Sequence, residues 1–234
     1  MYSEESRLSR LMSSVLQSGQ LCSHNEKNIL FGITNIISSI EYVNQNNIPA
    51  AIASYDLDHA FDRAFIPYIV KVLEQMNFGQ KFIRLIVDTH KDITTQFILN
   101  GLTEAIALTF SFRQGDAILM ILYLIYMEPV LVKLGQVLHG VNLGTFDEID
   151  NDYCDDVEIL VEDENDLIRA EEIFTKFESF SGARLNRSHK SKIMGIGSSV
   201  GKQNWPLPWL KVEKSLNIFG ILIFPTFQEI LKSN

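Results

Sequence analysis

Two adjacent carboxylates, Asp155 and Asp156, sit in the run Tyr153-Cys154-Asp155-Asp156, between residues 149–152 and the apolar-rich residues 157–161. Both flanks suit strands, and successive side chains on a strand point to opposite faces, so on flat β-structure the pair serves no common site. In the bend of a tight hairpin the two converge, and like charges brought together cost free energy unless a cation lies between them. The alternative is a solvated acidic turn. A third carboxylate, Asp56, ends a short apolar stretch over residues 50–57, with Asp58 and Asp62 close behind. A carboxylate there caps the next helix or ligates a metal, and capping suits Asp62 best. If the end of that strand lies beside the hairpin bend, Asp56, Asp155 and Asp156 form a three-carboxylate cluster. Hard oxygen ligands left partly open suit Mg²⁺, which binds through a few carboxylates plus substrate phosphates. Two such ions about 3.5–4 Å apart clamp the attacking and leaving oxygens of an in-line phosphoryl displacement. A calcium-loop reading fails, because the stretch from Asp150 has neither the Gly at position six nor the Glu at position twelve of an EF-hand.

The elements that must position these residues follow from periodicity. Ile29, Leu30, Ile33, Ile36, Ile37, Ile40 and Val43 share one helical face, with Asn25 as N-cap and an end at residues 44–47 before Pro49. The buried strand at 50–57 comes next, then amphipathic helices over 65–77 and 80–90. Asn100-Gly101 joins a hairpin of residues 94–99 and 104–112, since Asn-Gly favours the positive-φ turn between antiparallel strands. Arg113-Gln114-Gly115-Asp116 opens a long apolar helix over 117–135. Leu167, Ala170, Phe174 and Phe177 mark a helix after the Asp hairpin, ending at Ser181-Gly182. Strands near 191–196 and 217–224 close the chain around the loop Trp205-Pro206-Leu207-Pro208-Trp209. This order lacks the regular alternation of a doubly wound sheet and predicts an α+β fold, an antiparallel-rich sheet with helices packed on one face.

Composition sets wide bounds. The 234 residues are 46% hydrophobic with 15 Phe, enough for one compact domain with a sizeable core, or one domain plus a small appendage. Cys22 and Cys154 make neither a disulfide framework nor a zinc spacing. No signal peptide is legible after Met1, and the longest apolar run, residues 117–127, is too short for a membrane span. The expected setting is therefore intracellular and away from membranes. A net charge of −9 argues against a nucleic-acid partner, but its distribution does not. Of 29 acidic and 20 basic residues, thirteen acids and one base (Arg169) fall within residues 147–172, which leaves 16 against 19 elsewhere.

At these residues the chain resembles the reverse transcriptase domain of non-LTR (LINE-type) retrotransposons, over residues 17–224. Gln17-Ser18-Gly19 resembles the early Q-x-G element, and Asp56-Leu57-Asp58-His59-Ala60-Phe61-Asp62 resembles the D-x-E-K-A-F-D box. Asn100-Gly101 with Arg113-Gln114-Gly115-Asp116 resembles the N-G … R-Q-G-D-P-L-S segment, and Tyr153-Cys154-Asp155-Asp156 the Y-A-D-D box. Ser181-Gly182-Ala183-Arg184-Leu185-Asn186 with Lys190-Ser191 resembles S-G-L-K-x-N-x-x-K-S, and Phe219-Gly220-Ile221 the late L-G-I element. Each box alone is weak; the ordered set favours the cation site over the solvated acidic turn.

The resemblance implies a polymerase palm (a ferredoxin-like antiparallel sheet) over residues 50–234. Residues 1–49 would be partial fingers, an N-terminal helical segment. It implies RNA-directed DNA polymerase activity by two-metal nucleotidyl transfer, with two Mg²⁺ (or Mn²⁺) on Asp56, Asp155 and Asp156. Its partners would be an RNA template, a DNA primer and deoxynucleoside triphosphates. Leu57, Phe61, Gln114 and Gly115 would line the nucleotide pocket, Phe61 excluding the 2′-hydroxyl that separates ribo- from deoxynucleotides. Phe61 also reads as a core Phe at a helix start, and Arg113 to Asp116 as a polar cap on the long helix. Lys190 would stand near the leaving pyrophosphate as a general acid; an ordinary surface lysine fits as well. Phe219 and Gly220 would hold the primer end.

The chain departs from the family at His59 (for Lys), at Ala117 and Leu119 (for Pro and Ser), and at Ser23-His24 (for Gly-Arg). Cys154 replaces Ala, and the spacing from Asn186 to Lys190 is one residue longer than the pattern. Full fingers and a thumb are also missing from the match, which predicts a truncated or degraded copy. The alternative function is a catalytically silent palm-fold module that binds nucleic acid or protein.

Overall fold

The structure, a computed structural model, describes Leu16 and residues 29–91, 94–96, 98, 101–107, 118–142, 147–148, 150–153, 156–188 and 190–233. Helix α1 (Ile29–Gln45) buries Ile33, Ile36, Ile40 and Val43, the stripe that its 3.6-residue period predicts. Strand β1 (Pro49–Asp56) follows, and nearly all of it is buried. Residues 58–63 then form a run of turns with His59 at φ 48°, ahead of helices α2 (Ile66–Gln75) and α3 (Gln80–Thr89). Phe65 holds the N-cap position of α2, with a proline in its first turn. Asp62, the expected cap, therefore does not cap it.

The predicted hairpin shows as a short pair, β2 (Thr94–Thr95) with β3 (Ile106–Ala107), plus a bridge between Ile98 and Leu102. Residues 104 and 105 are not in the strand, and residues 108–112 lie outside the described residues. Helix α4 (Leu119–Val137) comes next, with residues 121–128 buried without a break. It is long and apolar enough to cross a membrane by length and composition, but most of it is buried among its neighbours as a core helix.

Strands β4 (Val141–Asn142) and β5 (Asp147–Glu148) make a small pair, followed by β6 (Asp150–Tyr153) and β7 (Asp156–Val161). Helix α5 (Glu164–Ser181) starts at the N-cap Asp163, whose side chain accepts the Asn165 N–H, and stops at Gly182 in the left-handed region. The chain closes with β8 (Lys192–Gly197), β9 (Lys211–Val212), the hairpin β10 (Leu216–Ile218) and β11 (Ile221–Ile223), and helix α6 (Phe227–Ser233).

The main sheet has the order β6-β7-β1-β8-β9 and is antiparallel except for its β8–β9 edge pair, which is parallel. Residues of even number on β1, β7 and β8 share one face. Ala51, Ala53, Tyr55, Val157, Ile159, Val161 and Ile193 occupy the other, in one core with side chains of α2, α3, α4 and α5. Ala50, Ile52, Leu160, Met194 and Ile196 pack instead with Ile36, Ile40 and Val43 of α1, with the β10–β11 hairpin and with Ile230 of α6. Helices therefore lie on both faces, not on one as expected. The reason is that β1 is apolar at even as well as odd positions along its first half. Only beyond Ile52 does the even face turn polar, through Ser54 and Asp56.

Candidate functional site

Asp56 is the last residue of β1, and its Cα partner across the antiparallel ladder is Asp156, the first residue of β7. Side chains so paired lie about 4.5–5.5 Å apart at Cβ, and like charges there are destabilising. The ladder also pairs Tyr153 with Asp156, so β6 and β7 are joined through Cys154 and Asp155, which lie outside the described residues. Gln114 and Gly115 also lie outside them. Of the three expected ligands, the structure thus brings Asp56 and Asp156 together.

The end of β1 is held by the segment after α5. Asp56 donates its N–H to Ser191 Oγ at 3.1 Å, and its carbonyl accepts the Asn186 N–H at 2.8 Å. Leu57 bridges Leu185, and the Asp58 N–H reaches the Arg184 carbonyl at 2.7 Å. One step further back, the Ser181 carbonyl accepts both the Phe65 N–H and the Tyr126 hydroxyl at 3.0 Å. Gly182 has φ 85°, and a Cβ there would meet the Arg63 carbonyl oxygen at 2.5 Å. The S-G … N … K-S box therefore has a structural use: it fixes the strand that ends in Asp56. Ser191, which is buried, is the anchor that residue types alone did not reveal.

The charges around this strand end are distinctive. Lys190 Nζ lies 3.6 Å from Asp56 Oδ1, with the lysine side chain 66% and the aspartate 25% exposed. Asp56 Oδ2 is buried with no hydrogen-bond partner among the described residues. Glu158, two residues along β7 on the same face, is 3% exposed and accepts the Ser54 hydroxyl at 3.3 Å. Burial, and next the negative charge of Asp156, push the Glu158 carboxyl well above the ordinary range, against the lowering by Ser54. Two carboxylate oxygens here, Asp56 Oδ2 and Glu158 Oε2, lack partners among the described residues. That donor set, hard oxygens short of positive charge, fits a divalent cation.

The remaining expected residues fall as follows. Phe61 is half-buried in the turns after β1, not at a helix start, and its ring lies 4.4 Å from that of Tyr123 on α4. The Leu57 side chain is buried in the main core, which leaves only its backbone to face a ligand. Phe219 and Gly220, expected within one strand, form the turn between β10 and β11, with φ 53° and 83°. That hairpin packs on the same side of the sheet as Asp56. Leu119 packs against the main core.

His139, Asp163 and Asp166 also approach one another closely enough to share a metal ion. The buried Asp166 carboxylate instead accepts the His139 and Gly140 N–H groups and the Arg169 guanidinium, at 2.9, 3.3 and 2.5 Å. Arg169 is also 3.2 Å from His139 Nδ1. A guanidinium already fills the cation position, so this group clamps the α4–β4 connection to α5.

Comparison with known proteins bears on the fold. No protein-family model matches the chain. A transposon TX1 protein of 149 kDa from Xenopus laevis, described as uncharacterized, is 27% identical over 191 residues, which cover 80% of this chain. The chain spans only 15% of that relative's length. Among solved structures, the telomerase of Candida tropicalis in complex with a fragment of telomeric RNA superposes with a TM-score of 0.68 at 12% identity. That match covers 96% of this chain and 36% of the telomerase chain. Telomerase from Candida albicans matches with a TM-score of 0.56 at 13% identity over 94% of this chain and 36% of its own. These structural likenesses carry the fold alone. The transposon relative agrees with the ordered sequence boxes, which resemble the reverse transcriptase domain of non-LTR retrotransposons.

Proposed function

We propose that the chain serves as the palm of an RNA-directed DNA polymerase within a longer retrotransposon protein, with residues 1–49 as partial fingers and residues 50–234 as palm. The observation that carries this reading is Asp56 facing Asp156 across the ladder, with Asp56 Oδ2 buried and unpartnered. Asp56, Asp155 and Asp156 would hold two Mg²⁺ or Mn²⁺ ions. When bound, these neutralise charge on the attacking and leaving oxygens of phosphoryl transfer.

The chain's own residues then have these tasks. Asp56 is kept in place by Ser191 and Asn186. Lys190, 3.6 Å from Asp56 Oδ1, would give a proton to the leaving pyrophosphate. Phe61, braced on Tyr123, limits the space under the incoming sugar, and Leu57 contributes backbone alone. Gln114 and Gly115 complete the nucleotide pocket, and the Phe219–Gly220 turn holds the primer end. Template RNA, primer DNA and deoxynucleoside triphosphates are the partners.

The second reading is a silent palm that binds nucleic acid without extending it. Leu119 favours it, since an apolar side chain packed against the core stands where the family pattern has a small polar one. Primer extension on an RNA template with Mg²⁺ decides between the two. Extension that disappears in Asp56→Asn supports the polymerase, and binding without extension in either protein supports the silent module.

A further inference from the structure

The polar half of the even-numbered sheet face is divided by charge. Glu158 on β7 pairs with Ser54 on β1, and Ser54 pairs with Lys192 on β8. Lys192 in turn pairs with Lys211 on β9 in parallel register, so both ammonium groups leave the same face from neighbouring strands. At about 4.8 Å per strand, the lysines stand roughly 5 and 10 Å across the sheet from Ser54. Ser54 is itself two residues, about 7 Å, from Asp56. Lys190 adds a third positive charge at the Asp56 end.

Like charges directly opposite each other on adjacent strands are destabilising. Lys211 has a carboxylate neighbour, Glu213 at 2.6 Å, in a pair whose lysine is 61% exposed, and such pairs contribute little. Lys192 has no ion pair among the described residues and is only half-exposed. Lysine on an edge strand is a common guard against edge-to-edge association. That explains Lys211 on β9 but not Lys192 on the strand inside it.

We propose that Lys192 and Lys211 form a track for the phosphodiester backbone of a nucleic-acid strand, leading across the sheet toward Asp56. The proposal rests on the polymerase-palm reading, because the strand it names is the one whose end reaches the carboxylates. A polyanion removes the repulsion between the two lysines, and the track is continuous with the carboxylate site on one face. The acids sit on β7 and β1 and the bases on β8 and β9, so a strand with its backbone over the lysines meets the carboxylates only at its end.

The test is binding of the full chain to a fluorescent RNA–DNA hybrid with a recessed 3′ end, followed by anisotropy in EDTA over a salt series. Each lysine that neutralises a phosphate contributes about 0.9 to the slope of log affinity against log salt. We expect Lys192→Gln/Lys211→Gln to lower that slope by about 1–2 and the affinity at low salt about tenfold. The double variant should melt no lower than the wild type, since a repulsive pair is removed, so the loss is not one of folding. An unchanged slope with a wild type that binds the hybrid overturns the track and leaves the palm reading standing. A wild type that does not bind the hybrid overturns both. Equal competition by polyglutamate of matched charge also overturns the proposal, by assigning the lysines to acidic protein segments.

Discussion

Asp56 and Asp156 face each other across the β1–β7 ladder at its last pair, held there by a strand end whose N–H and carbonyl are both tied to residues 186–191. Two carboxylates in that relationship repel in the absence of a counter-ion, and Lys190 at 3.6 Å offsets only part of it from an exposed position. The arrangement costs stability without a cation, and this cost is what a divalent ion would relieve.

Asp56→Asn should therefore raise the melting temperature of the protein in EDTA while removing the stabilisation that Mg²⁺ or Mn²⁺ gives the wild type. Thermal melts with and without metal measure both effects. A variant that keeps the full metal-induced shift would show that Asp56 takes no part in cation binding.

Ser191→Ala removes the acceptor of the Asp56 N–H at a buried position. An unsatisfied buried donor costs about 1–3 kcal/mol. Urea unfolding should show a loss in that range, and metal affinity should fall with it, since the displaced strand end carries Asp56, the proposed ligand.

Glu158 gives a pH dependence of defined sign. Its carboxyl titrates higher in the folded protein than in the unfolded chain, so the native state holds the proton more tightly. The associated stability is complete below about pH 4.3, the unfolded value, and is lost as pH rises toward the raised folded value. Glu158→Gln should thus stabilise the metal-free protein relative to wild type as pH rises above about 4.3, the unfolded value, with little effect below it. Denaturation midpoints on either side of that pH in EDTA provide the check. Equal effects at acid and neutral pH would mean that the carboxyl is not strained by burial.

Gly182→Ala forces a side chain into a left-handed conformation with its Cβ 2.5 Å from the Arg63 carbonyl oxygen. The strain alone is about 1–3 kcal/mol, and the collision adds to it. A destabilisation of at least about 2 kcal/mol is expected in urea, with the Phe65-to-Ser181 hydrogen bond the first to loosen in hydrogen exchange.

Residue types and spacing determined much of this protein directly. The stripe from Ile33 to Val43, the apolar run ending at Asp56 and the period of Leu167, Ala170, Phe174 and Phe177 each encode a local element, because helix and strand periods are properties of the chain itself. The ordered boxes also carry the resemblance to a family without any coordinates. What the linear order could not carry were relationships between distant segments. Nothing local says that both faces of β1 are covered, that Ser191 rather than a neighbouring residue holds the Asp56 N–H, or that Phe219 and Gly220 turn instead of continuing a strand. Neither does it say that Asp62 leaves the α2 cap to Phe65. Strand pairing decides these matters, because register places residues more than a hundred positions apart, such as Asp56 and Asp156 or Ser54 and Lys192, side by side. Their mutual charge acquires an energy only once the sheet has formed.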